Sequence, residues 1–178
     1  MKFFIMILLS STISIAAHAN SLSPYTGEQT RSIKALSQQQ ISGYLNGKGL
    51  GYAKAAELNQ YPDPSHVLEL AKQLQLSDVQ LGQTQSLFAD MNAQATTLGK
   101  QLVEKEQQLD QLFVANAINS DKLKLVLTEL AALEAKIRFV HLNAHLAQKT
   151  VLTSQQVQHY DQLRGYNSAS HNKHHHSH

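Results

Sequence analysis

Residues 121–149 read DKLKLVLTELAALEAKIRFVHLNAHLAQK, a run without glycine or proline in which Val126, Leu130, Leu133, Ile137, Val140, Ala144 and Ala147 recur at alternating spacings of four and three. That 3.5-residue period belongs to a helix that presents one apolar seam to a partner at a small crossing angle. A second such run lies upstream: Thr84, Phe88, Met91, Ala95, Leu98 and Leu102, then, after a polar step at Lys105, Leu109 and Leu112. Residues 116–120 are all that separate the two, and so short a connection makes neighbouring helices antiparallel. The prediction is an all-α fold built on a long antiparallel helical hairpin, with helices over about 77–115 and 121–149. A rod of about 39 residues is about 58 Å long, and two rods bury only one seam against each other. The second apolar stripe, with Leu87, Phe113, Leu127 and Phe139, needs a cover, which short N-terminal helices supply in part and a second protomer in the rest.

Moving outward from the rods, one local pattern occurs three times: Leu36-Ser37-Gln38-Gln39-Gln40, Leu76-Ser77-Asp78-Val79-Gln80 and Leu152-Thr153-Ser154-Gln155-Gln156. Ser37, Ser77 and Thr153 are placed as N-caps, and the Gln three residues on reaches back to the cap's own N–H to complete a capping box. The preceding Leu faces an apolar residue at the fourth helical position, pairing Leu36 with Ile41, Leu76 with Leu81 and Leu152 with Val157, as hydrophobic staples do. These starts predict helices at about 38–46 and 154–164, the latter ended by Gly165. A further helix is expected at about 50–59, and a short one begins at Pro64 with Asp63 as its cap.

Composition agrees. Of 178 residues only 16% are charged and the net charge is +2; there are 8 Gly, 3 Pro and no Cys or Trp, while Gln alone numbers 20. Unbranched side chains with few breakers favour long helices. The missing Cys excludes disulfide frameworks and thiolate zinc sites, and the near-neutral charge gives no electrostatic case for nucleic acid. Lys2, the apolar run 3–9 and the terminal Ala17-His18-Ala19 have the layout of a secretory signal with a small-x-small cleavage site. The run is well short of the ~20 apolar residues that span a bilayer, so residues 1–19 are expected to be cleaved. No stable membrane insertion is expected. The remaining plan is a flexible leader at 20–34, a single α-helical domain at 35–165 and a disordered His-rich tail at 166–178.

Leu76, Ser77 and Gln80 at one end of the hairpin and Leu152, Thr153 and Gln156 at the other resemble the paired LTxxQ motifs of the Spy/CpxP-type periplasmic proteins. The first copy carries Ser for Thr, which keeps the capping chemistry. The resemblance covers about residues 65–165. It implies a periplasmic location, a cradle-shaped helical homodimer, and ATP-independent chaperone activity toward unfolded or misfolded envelope proteins under stress. Some relatives, the zinc-resistance and heavy-metal-sensor branches, bind metal.

The alternative function is therefore heavy-metal binding or sensing. His141 and His145, four apart on one helix face, supply at most two ligands of one ion, since zinc usually takes four; otherwise they form an interfacial polar stripe beside the Val140/Ala144 seam. His171, His174, His175, His176 and His178 make the tail a candidate ligand for zinc, copper or nickel, with copper favoured by the Irving–Williams order. His66 and His159 stand alone and read as surface residues. Catalysis has no support: there is no G-x-S-x-G, no H-E-x-x-H and no cysteine nucleophile. The segment 47–51, GKGLG, lacks Walker spacing and reads as a turn between helices. The chain is expected to be no enzyme and to require no cofactor.

Overall fold

A computed structural model describes residues 23–166. The predicted signal segment and the tail histidines 171, 174, 175, 176 and 178 lie outside the described residues. The chain divides into two compact units, Met1–Thr30 and Arg31–His178. In the first, the described part is a turn closed by the Thr26 hydroxyl donating to Ser23 O (2.7 Å), followed by a 3-10 helix at Glu28–Thr30.

The described part of the second unit carries six helices: α1 Gln38–Leu45, α2 Lys54–Glu57, α3 Pro64–Glu69, α4 Asp78–Val114, α5 Ser120–Val151 and α6 Ser154–Leu163. Its described residues contain no strand. All three capping boxes form. Ser37, Ser77 and Thr153 each accept from the N–H of the Gln three residues on, and that Gln returns its side chain to the cap's N–H. Asp63 caps α3, accepting from the N–H groups of Ser65 and His66 with Pro64 at the first position. The helix expected at 50–59 shrinks to the single turn of α2. Leu50 and Gly51 before it and Gln60 after it all have positive φ, outside the helical region.

Two apolar clusters hold the unit together. One joins Leu102 of α4 to Val126, Leu130, Leu133 and Ile137 of α5, with Tyr44 of α1 and the buried Ile33 and Leu36. The second gathers Val67 of α3, Leu74, Leu152, and Val157 and Tyr160 of α6. Ile33 corrects the predicted leader. Residues 31–34 belong to the helical unit, with Ile33 in its core and Lys34 paired to Asp110 of α4 at 3.0 Å. Where α1 crosses α4, Gly99 meets the backbone of Tyr44, and a β-carbon there would overlap the Tyr44 carbonyl.

The seam of α5 also departs from its prediction. Val126, Leu130, Leu133, Ile137 and Ala144 are buried as expected, but Val140 and Ala147 are only half-buried, and His141, His145 and Gln148 take the interior positions. A straight helix drifts about 20° per heptad against a 3.5 repeat. Towards the C-terminal end of α5 the buried stripe has rotated to face the segment around α2 and α3.

The box glutamines have a second role that links distant helices. Gln80 Nε2 donates to Gln156 Oε1 at 2.8 Å and Gln156 Nε2 to Gln80 Oε1 at 3.1 Å, while the same nitrogens reach Val151 O (2.9 Å) and Leu74 O (3.1 Å). One amide thus caps its own helix with its oxygen and ties the start of α4 to the start of α6 with its nitrogen. Gln156→Ala is expected to lose about 1–2 kcal/mol and to leave Gln80→Ala with less than its full effect in the double mutant. Urea unfolding of both single variants and the pair measures this; strict additivity would contradict a direct coupling.

Candidate functional site

The residues of a polar cluster come from four places: Glu57 at the end of α2, Tyr61 and Asp63 in the following linker, His141 and His145 on α5, and Tyr160, Arg164 and Tyr166 at and after α6. They gather where the linker must turn. Gln60 has a φ of 65°, and Pro62 and Pro64 are both fully buried. This fixes the chain direction so that the Tyr61 carbonyl and the Asp63 carboxylate both face α5. Lys149 sits over the Tyr61 ring, 3.8 Å from its centroid, and holds the ring against α5.

His145, 1% exposed, is engaged at both nitrogens. Its Nδ1 lies 2.7 Å from Tyr61 O and its Nε2 3.2 Å from Asp63 Oδ2, an ion-pair contact off the line of the N–H bond. Burial by itself disfavours the imidazolium, but Asp63, the Tyr61 carbonyl and the charge of Glu57 outweigh it and raise the pKa above its ordinary 6.5. Burial likewise works against ionised Asp63, and the contact with His145 and the hydrogen bonds from Ser65 prevail, holding that carboxyl well below the usual range. His141, one turn earlier, goes the other way. Burial pushes its pKa down, with Asp63 opposing and His145 reinforcing the shift, and its Nε2 has no hydrogen-bond partner among the described residues.

Glu57 is the hub. Its carboxylate accepts from the Tyr160 hydroxyl at 2.6 Å, the Tyr166 hydroxyl at 2.9 Å and the Asp63 N–H at 3.1 Å, and it lies 3.5 Å from both His66 Nδ1 and Arg164 Nε. Tyr160 is 0% exposed, and burial together with the Glu57 carboxylate drives its phenol far above the ordinary range. Beside this hub opens a cleft of about 440 Å³, with Lys48, Gly49, Leu50, Gly51 and Lys54 on one side and His141, His145 and Asp63 on the floor. Gly49 lies against the His141 ring, where a β-carbon would stand 3.5 Å from Nδ1.

His141 and His145 were open to two readings, as two ligands of one ion or as an interfacial polar stripe beside the Val140/Ala144 seam. The structure does bring both to one buried wall, but His145 gives its nitrogens to Tyr61 and Asp63, and among the described residues no group of three His, Asp or Glu side chains is set to hold a metal ion. His66 is not a lone surface residue, since its ring nitrogens meet Glu57, the Tyr160 hydroxyl and Arg164. His159 is exposed and touches Gln162 at 3.3 Å. The segment 47–51 is a turn between α1 and α2, as expected. Glu57, His66, Tyr160, Arg164 and Tyr166 carry no motif. Asp63, foreseen as a cap, and the His141/His145 pair were the sequence signals that touched the site.

A second feature lies on the long helices. Phe139 (66% exposed), Leu125 (60%), Leu146 and Leu127 of α5 and Phe113 and Val114 of α4 are uncovered. Leu87 of the predicted second stripe is half-buried. Two shallow apolar grooves accompany them, one lined by Leu123, Leu127 and Ala131 with Lys124, the other by Leu98, Ala135, Phe139 and Val140 with Lys136. No described helix is long and apolar enough to cross a membrane. In comparison with known proteins, no family model, curated protein or solved structure matches this chain.

Proposed function

We propose that the chain is an ATP-independent, chaperone-like protein of the periplasm that holds unfolded or misfolded envelope proteins on its long helices, as a homodimer in which the α4–α5 hairpins form a cradle. The observation that carries this reading is the uncovered apolar surface of α4 and α5 around Leu127 and Phe139, interleaved with Lys124 and Lys136. Exposed apolar patches on a soluble chain mark partner surfaces, and shallow grooves rimmed by flexible lysines suit weak binding of many sequences better than tight binding of one. The periplasmic part rests on the signal-like residues 1–19 and on the paired LTxxQ-like boxes at 76–80 and 152–156.

The test is light scattering of an unrelated denatured client, with and without chelator. The expected result is suppression of aggregation that chelation leaves unchanged. The double variant Leu127→Ser, Phe139→Ser should lose most of it, at least about fivefold, with the helical circular dichroism intact, because both residues are exposed and contribute little to the core. Absence of suppression would end the chaperone reading. Suppression that needs metal would place the histidine tail first. A monomeric mass by sedimentation at micromolar concentration would remove the dimer.

A further inference from the structure

We propose that His145 is a proton-operated clasp: with both ring nitrogens protonated it ties α5 to the Tyr61–Asp63 linker, and loss of one proton to solvent releases that linker and the start of α3. The geometry makes one proton decisive. A neutral imidazole carries a single N–H. Held at 2.7 Å by the Tyr61 carbonyl, an acceptor, Nδ1 keeps that N–H, and Nε2 is left as a lone pair 3.2 Å from the Asp63 carboxylate. Two electron-rich atoms at that distance in a buried site repel. The opposite tautomer sets its Nδ1 lone pair against the Tyr61 carbonyl instead. Either way one of the two links between α5 and the linker is lost.

Asp63 couples this event to the fold, because its other oxygen caps α3 through Ser65 N at 2.7 Å and its carbonyl accepts from Val67 N at 2.9 Å. Every element around His145 contributes a group to the balance. The linker brings Asp63 and the Tyr61 carbonyl, α2 brings Glu57 at 3.8 Å, and α5 itself brings His141 one turn away; from α6, Arg164 and the Tyr160 hydroxyl face Glu57 and limit its pull. A raised folded value means that the clasp contributes fully below the ordinary pKa of 6.5 and is lost as pH rises from there through the higher folded value. Because His141 is shifted the other way, its buried neutral form is favoured as pH rises, so the whole-protein stability profile blurs the two histidines. A local readout is needed.

The experiment follows, on the full chain with EDTA present, the ring protons of each histidine by NMR together with hydrogen exchange at the Ser65 and Val67 amides. His145 is expected to titrate above 6.5, and protection of the two amides, corrected for intrinsic exchange, to fall about tenfold or more across that midpoint. His145→Gln should flatten the dependence while His66→Gln keeps it. Should His145→Gln fail to fold, Asp63→Asn provides the second arm: it should bring the His145 midpoint to 6.5 or below. A His145 midpoint at or below 6.5 in the unaltered chain, or unchanged amide protection across its titration, would overturn the clasp.

Discussion

Gly99→Ala is expected to destabilise the chain by about 2–3 kcal/mol, although alanine is the better helix former by about 1 kcal/mol. The new β-carbon meets the Tyr44 carbonyl, its carbon and its Cα, all backbone atoms of α1. A backbone cannot rotate aside as a side chain can, so α1 must lift away from α4 and pull Tyr44 from the cluster it shares with Leu102 and Ile137. Gly82 on the same helix is the control. A β-carbon there has nothing within 4 Å, and Gly82→Ala should stabilise by up to about 1 kcal/mol. Urea midpoints of the two variants should move in opposite directions; equal shifts would mean that α1 does not seat on Gly99.

Removal of the Glu57 carboxylate should cost as much. Glu57→Ala leaves the buried Tyr160 hydroxyl without its 2.6 Å acceptor and the half-buried Arg164 without its anion. Breaking a buried charged pair costs about 3–5 kcal/mol. With the Arg164 side chain 30% exposed and partly solvated, about 3 kcal/mol is expected for this site. Glu57→Gln, with its amide oxygen at the Oε1 position that both tyrosine hydroxyls share, keeps their acceptor while losing the charge and should lose about half of that. Tyr160→Phe in the Glu57→Ala background should then add little, since the hydroxyl has already lost its partner. Equilibrium unfolding of the three variants checks the order. A Glu57→Ala midpoint within error of the unaltered chain would show that α2 and α6 are held together by apolar contacts alone.

Both effects were out of reach of sequence patterns, for a definite reason. The helix starts at Ser37, Ser77 and Thr153 were legible because a cap, its box glutamine and its staple lie within six residues, and the start at Asp63 because Pro64 follows the cap directly. The rods were legible for the same reason, as periodicity is a local property. Gly99 read as an ordinary helical residue. Nothing in its neighbourhood announces a contact with Tyr44, fifty-five positions upstream by number. Glu57 and Tyr160 are 103 residues apart and His145 and the Tyr61 carbonyl 84, and each of these side chains would be unremarked on a solvent face. His141 and His145 were noticed as an i, i+4 pair on one wall, as ligands or as a polar stripe, but nothing nearby in sequence announces that His145 meets Tyr61 and Asp63.

The sequence by itself therefore determined the two long helices, the starts of α1, α3, α4 and α6 and the all-α class, because capping, propensity and periodicity act between residues close along the chain. The tertiary structure alone decided how far α5 rotates by its C-terminal end, that His145 is pushed towards its charged form and His141 towards its neutral one, and that the box glutamines bond each other. Those outcomes depend on burial and on partners brought together across the fold, and desolvation and charge act through space without regard to chain order.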